Sequence, residues 1–136
     1  MKNKFFKTIL ALSIVISMWS CVANAQKNDT FKFEPSKSTI SGTIVVETFF
    51  DANENEENSF ILKLDYPIKV VATHDDELNT TIDNVTKVQL TASDVNLSIY
   101  KNKKVHCTGV FFSAITAHHH TEVLMSIETI KIQNDE

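Results

Sequence analysis

Residues 38–50 read STISGTIVVETFF, and this run decides the fold. Ile40, Ile44 and Val46 alternate with Ser41, Thr43 and Val45, and the run is rich in β-branched residues. A branched Cβ stiffens χ1 and packs well on a pleated surface, so the run reads as one long strand. Gly42 near its middle marks a bulge, a bend or a close backbone approach. A strand that bends at such a point can serve both ends of a small closed sheet.

Working towards the C-terminus, DANENEEN (51–58) is a charged loop. Asp51, Asn53 and Asn55 are spaced by two, as in a calcium loop, but that pattern wants glycine at its sixth position and glutamate at its twelfth. The chain has Glu56 and Leu62 there, so a solvated acidic turn is the simpler reading. SFILKLDYPIKVVA (59–72) is two strands, or one strand bent at Pro67. THDDELNTTIDNVT (73–86) is a polar connection whose His74, Asp75, Asp76 and Glu77 are consecutive on a loop and imply no fixed metal geometry. KVQLTA (87–92) is a short strand. SDVNLSIYKN (93–102) is either a helical turn capped by Ser93 or Asp94, or a strand through Val95, Leu97 and Ile99. KKVHCTGVFFSA (103–114) is a strand with Val105 and Cys107 on one face and His106 and Thr108 on the other, until Gly109 breaks the phase. TEVLMSIETIKI (121–132) is the last strand, with its apolar face switching near Glu128.

Five or six strands with almost no helical signal imply an all-β fold. The expected architecture is a small five- to six-stranded OB-like barrel with at most one short helix. The expected divisions are a signal peptide at 1–25, a leader at 26–37 that Phe31 and Phe33 partly order, and a single barrel domain over 38–136.

The N-terminus supports export. Lys2, Lys4 and Lys7 precede an apolar run from Ile9 to Trp19, and Ala23-Asn24-Ala25 offers small residues where a signal peptidase reads. The run is short of the roughly 20 residues that a transmembrane helix needs. The pattern fits a bacterial secretory signal cut after Ala25, giving a periplasmic or secreted protein. Cys21 offers a second outcome, a lipid-anchored chain, although Trp19 is bulky for a lipoprotein signal.

Cleavage after Ala25 leaves 111 residues with ten lysines, no arginine and seventeen acidic residues, a net charge of −7 with neutral histidine. Such a surface repels nucleic acid and anionic membrane. It suits a basic protein partner or a cation. Cys107 is then the one cysteine, so no internal disulfide forms, and its strand context reads as a small buried side chain.

Three histidines, His118, His119 and His120, interrupt the last two apolar runs. On extended backbone His118 and His120 share a side and His119 faces away. Imidazole binds zinc or copper well, and His106 on the preceding strand is a candidate third ligand. The competing reading is architectural: the rings hydrogen-bond loop groups, with Thr116 and Thr121 beside them, and pack on Phe111 or Phe112.

Three stretches carry a family resemblance: FILKLDYPIKVV (60–71), VQL (88–90) followed by Tyr100 and KNKKVHCTG (101–109), and TAHHHTEVLM (116–125). On these the chain resembles a family of small exported bacterial domains of unknown function. The resemblance implies an OB-like barrel and supplies no chemistry. The chain departs from it in the acidic first loop, where family members tend to carry proline, glycine and tyrosine. Two functions stay open. One is an exported binding or accessory module that contacts a protein, an envelope component or a small ligand. The other is a metal-binding protein or metal-dependent hydrolase built on His118 to His120.

Overall fold

A computed structural model describes residues 29–134. The expected signal segment, its cut after Ala25 and Cys21 lie outside the described residues, as does the start of the leader. The described chain is all-β with one short helix: β1 (Thr30–Lys32), β2 (Lys37–Phe50), β3 (Glu56–Val71), β4 (Ile82–Thr91), a 3-10 turn at Leu97–Tyr100, β5 (Lys104–Ser113) and β6 (Val123–Ile132). Among the described residues no helix is long and apolar enough to cross a membrane.

The strands form one sheet in the order β1-β3-β2-β5-β6-β4, and an extra β3–β4 pairing closes β2 to β6 into a ring. All neighbours in the ring are antiparallel except β4 and β6, which run parallel through Gln89↔Leu124. β2 serves two neighbours in succession. Its first half pairs with β5 from Lys37↔Val110 to Thr43↔Lys104, and its second half with β3 from Gly42↔Leu64 to Phe50↔Glu56. Gly42 and Thr43 belong to both registers. A Cβ on Gly42 would stand 2.2 Å from the Lys63 carbonyl oxygen, so the glycine is there for close approach.

Gly109 plays the same part at the other hairpin, where a Cβ would meet the Ser126 oxygen at 2.0 Å. The β5–β6 register shifts between Thr108 and Gly109, whose partners are Thr129 and Ile127, and Glu128 is the extra residue. This bulge is the physical cause of the apolar face switch. Val123, Met125 and Ile127 point into the core, and beyond Glu128 it is Ile130 that packs there.

One of the two alternatives at Pro67, a single strand, is the one found, and two other local features differ from sequence expectation. β3 runs unbroken past Pro67, with register shifts between Lys63 and Val70 absorbing the missing donor. β4 begins at Ile82, well before KVQLTA, because Val85 and Ile82 pair with Ile68 and Val70 while Asn84 takes φ 55°. Asparagine tolerates that left-handed region, which lets a polar-looking stretch remain in the sheet. The turn after β4 is helical, and its cap is Asn96, whose side chain accepts from the Ser98 N–H at 3.1 Å, rather than Ser93 or Asp94.

The leader segment contributes to the sheet. β1 pairs in parallel with the end of β3 through Phe31↔Val70, and Phe33 bridges to Phe111. Phe33 is buried, and Phe31 meets the Phe111 ring edge-on at 5.8 Å. Burial of two aromatics outweighs the polarity of their neighbours. The core around Phe111 includes Ile44, Leu62, Val70, Val88, Val105, Cys107 and Met125. Burial raises the Cys107 thiol to about 12, which leaves it protonated and unsuited to act as a nucleophile.

Candidate functional site

The loop that carries the histidines, 114–122, folds over the outer face of β3, β4 and β6. Strand alternation puts Ser59, Ile61, Gln89 and Leu124 on that outer face, yet all four are buried. The loop is what covers them. Gln89 is its anchor. Its side-chain N–H donates to the His118 carbonyl at 2.9 Å, and its Oε1 accepts from the His120 N–H at 2.6 Å. Its main-chain N–H donates to Thr121 Oγ1 at 2.9 Å, and that hydroxyl in turn donates to the Val123 carbonyl at 2.7 Å. One buried amide thus satisfies the backbone of a loop that has no ladder of its own.

The β2–β3 hairpin meets this loop from the other side. Asp51 shapes its turn: Oδ1 accepts from the N–H groups of Asn53 and Asn55 at 2.8 and 2.9 Å, and Oδ2 from the Asn55 side chain at 2.9 Å. Glu54 completes the turn at φ 63°. The Asn55 side chain and backbone, more than any other groups, hold the Asp51 carboxyl below its ordinary range, with a smaller contribution from His118. Both Asp51 oxygens take part in the turn itself, which accounts for an aspartate at this position.

Where β2 and β3 leave this turn, Phe49 and Glu57 are directly opposite each other. Both reach the histidines. Glu57 Oε1 is 2.6 Å from His118 Nδ1, and Glu57 Oε2 is 3.0 Å from His120 Nε2. Phe49 stacks on His120 with ring centroids 4.1 Å apart and planes 3° from parallel. An ionised carboxylate only accepts, so His118 donates from Nδ1 and His120 from Nε2. His120 is 10% exposed at its side chain and His118 is 70% exposed, so the first is a buried tie and the second a surface group. His119 turns the other way. Its Nδ1 accepts from the Ile115 N–H at 3.0 Å, and its ring meets Phe112 edge-on at 5.6 Å.

Glu57 responds to opposing influences. Burial alone raises its carboxyl, and the hydrogen bonds and charges of His120 and His118 together lower it by more, so it ends below its ordinary 4.5. A carboxyl depressed in the fold adds stability that is whole above the unfolded value and is lost as pH falls through the folded one. Melting curves of Glu57→Gln and the parent are therefore expected to separate above pH 4.5 and to converge below it. A gap that stays constant from neutral pH down to pH 3 would exclude this role.

His106 does not join the triplet. It sits near the start of β5, seven residues before Ser113, which at about 3.3 Å per residue is about 23 Å from the histidine loop. Its Nδ1 lies 2.6 Å from Ser41 Oγ across the β2–β5 ladder. The expected set of His118, His120 and His106 is thus split between the two ends of the strand. Among the described residues no group of three or more His, Cys, Asp or Glu side chains is arranged to hold a metal ion. His74 is fully exposed at its side chain beside Asp75, and Asp76 accepts from the Leu78 and Asn79 N–H groups of its own loop.

Glu57, Gln89 and Phe49 were not singled out by sequence reasoning. Alternation places Gln89 and Glu57 outward on their strands, where polar residues need no explanation. Only the fold shows that a distant loop covers them.

Together these features define a small all-β domain whose closed ring of strands carries two hairpin loops tied to each other. Over residues 87–131, from β4 to β6 and including the histidine loop, the chain is similar to a domain of unknown function, DUF4431. No curated protein matches the chain.

Proposed function

We propose that this chain is an exported binding or accessory module on an OB-like barrel, and that its joined β2–β3 and β5–β6 loops contact a protein or envelope partner. The observation that carries this reading is the clasp between those loops, in which Glu57 bridges His118 and His120 while Phe49 stacks on His120. Loops held in one arrangement before binding lose less entropy on contact. The ring order and its single parallel β4–β6 step support the OB-like reading, and in such barrels these two loops flank the ligand surface. Phe50, 65% exposed at the end of β2, gives the surface an apolar contact next to the clasp. The signal-like N-terminus supports export, with Cys21 as the residue that would carry a lipid anchor. The net charge of the exported part, ten lysines against seventeen acids, argues against nucleic acid as the partner.

The test is photo-crosslinking in envelope extract, with the reactive group placed at Phe50 and, as control, at Ile99 on the 3-10 turn, which is 56% exposed. A discrete partner captured at position 50 and absent at 99 is expected. Equal capture at both positions, or none at 50 together with turnover in a hydrolase panel, would sink the reading.

A further inference from the structure

At the end of β5 remote from the histidine loop, the barrel wall is split. β2 and β3 pair only from Gly42↔Leu64 onwards. Before that point Lys37–Ser41 of β2 pairs with β5, while β3 beyond Leu64 pairs with β4 and β1. The two strands diverge, and β1 fills part of the gap with Phe31. What remains is a groove of ≈ 460 Å³.

Its floor is apolar, formed by Ile40, Leu64 and Ile68. Its walls are mixed. Asp65 and Lys104 face each other at 4.0 Å, beyond hydrogen-bonding distance, so each keeps capacity for another group. His106 is oriented by the Ser41 hydroxyl. Gln133, held by its main-chain N–H to the Lys104 carbonyl at 2.9 Å, buries an Oε1 that has no hydrogen-bond partner. A buried acceptor left unfilled costs about 1–3 kcal/mol and points to a missing donor. Tyr66, also in the lining, is 59% exposed and offers its ring.

We propose that this groove binds a neutral polyhydroxylated ligand, one or two pyranose rings of a saccharide. The walls carry charges of both signs, Asp29 and Asp65 against Lys104, so an anion meets carboxylates and a cation meets an ammonium. A hydroxyl both donates and accepts, and can satisfy the carboxylate, the ammonium and the imidazole alike. A pyranose also has an apolar C–H face, which suits Tyr66 and the aliphatic floor. The volume lies in the range of small-molecule sites, about 300–1,000 Å³. The site shares no residue with the loop clasp, so it stands or falls separately from the function proposed above.

The experiment is a proton–nitrogen NMR titration of the full chain with cellobiose, maltose and diacetylchitobiose, with arginine methyl ester and inorganic phosphate as charged controls. At least one sugar is expected to give saturable shifts at Ser41, Tyr66 and His106. Tyr66→Ala is expected to weaken that binding about tenfold, equivalent to about 1.4 kcal/mol, with the melting temperature unchanged because the ring is exposed. Ser41→Ala, which frees the His106 ring, is expected to weaken it as well. The proposal is overturned if no sugar shifts these residues, if only the charged controls do, or if Tyr66→Ala binds as the parent does. Shifts confined to Glu57 and His118 to His120 would place the sugar on the loops and overturn it equally.

Discussion

Gly109→Ala is expected to destabilise the domain by about 3 kcal/mol, with Gly42→Ala close behind. Alanine for glycine normally restricts the unfolded chain and gains about 0.4–1 kcal/mol. Here sterics win. The added Cβ would lie 2.0 Å from the Ser126 oxygen at position 109 and 2.2 Å from the Lys63 oxygen at position 42. Each obstacle is the backbone of the neighbouring strand, which cannot rotate aside as a side chain would. Relief requires the strands to part, at Gly109 beside the Glu128 bulge and at Gly42 where β2 passes from one neighbour to the other. Urea denaturation followed by circular dichroism measures it. A stability within about 0.5 kcal/mol of the parent, the size of an ordinary surface effect, would show that the strands give way easily.

Gln89→Leu is expected to release the histidine loop while leaving the barrel folded. Leucine matches the buried volume approximately but provides no partner for the His120 N–H or the His118 carbonyl. Each stranded group costs about 1–3 kcal/mol if it stays buried. The loop therefore lifts, and Ile61 and Leu124 beneath it gain exposure. A loss of about 3 kcal/mol is expected, together with faster amide hydrogen exchange across 114–122 and slow exchange retained in β2 and β5. His118→Ala is the contrast. Its side chain is 70% exposed, so solvent screens its bond to Glu57 and the loss is expected to be much smaller than that of Gln89→Leu. If Gln89→Leu left loop exchange unchanged, the amide would not be the anchor.

Much of the strand pattern was legible in the sequence, because alternation and β-branching act locally. β2, β5 and β6 follow from such patterns, and so do the close backbone approach at Gly42, one of the three readings open there, the face switch at Glu128 and the burial of Cys107. The start of β4 was not legible, since its polar residues join the sheet only through pairing with Ile68 and Val70. His118 and His120 do share a partner and His119 turns away, but residues 114–122 form a turn rather than a strand, so hydrogen bonds to Gln89, Glu57 and Ile115 set the directions and period-two alternation does not. The shared partner was not legible either, because Glu57 lies 61 residues from His118 and stood in a run of acids with nothing to mark it. The separation of His106 from the triplet depends on register. A histidine near the start of β5 and a loop beyond its end cannot meet, however near they stand in the chain.

The passage of β2 from one neighbour to the other also sets the order in which the chain can assemble. The β2–β3 and β5–β6 hairpins join residues close in sequence and can form early. The contact between Thr39 and Thr108 spans 69 residues, and the ring cannot close until that loop is drawn in. Topologies dominated by such distant pairings fold in milliseconds to seconds rather than microseconds. Until β5 arrives, the first half of β2 is an open strand edge of the kind that recruits other chains. The vulnerable species is therefore the half-assembled barrel, and the join between β2 and β5 governs how long it lasts.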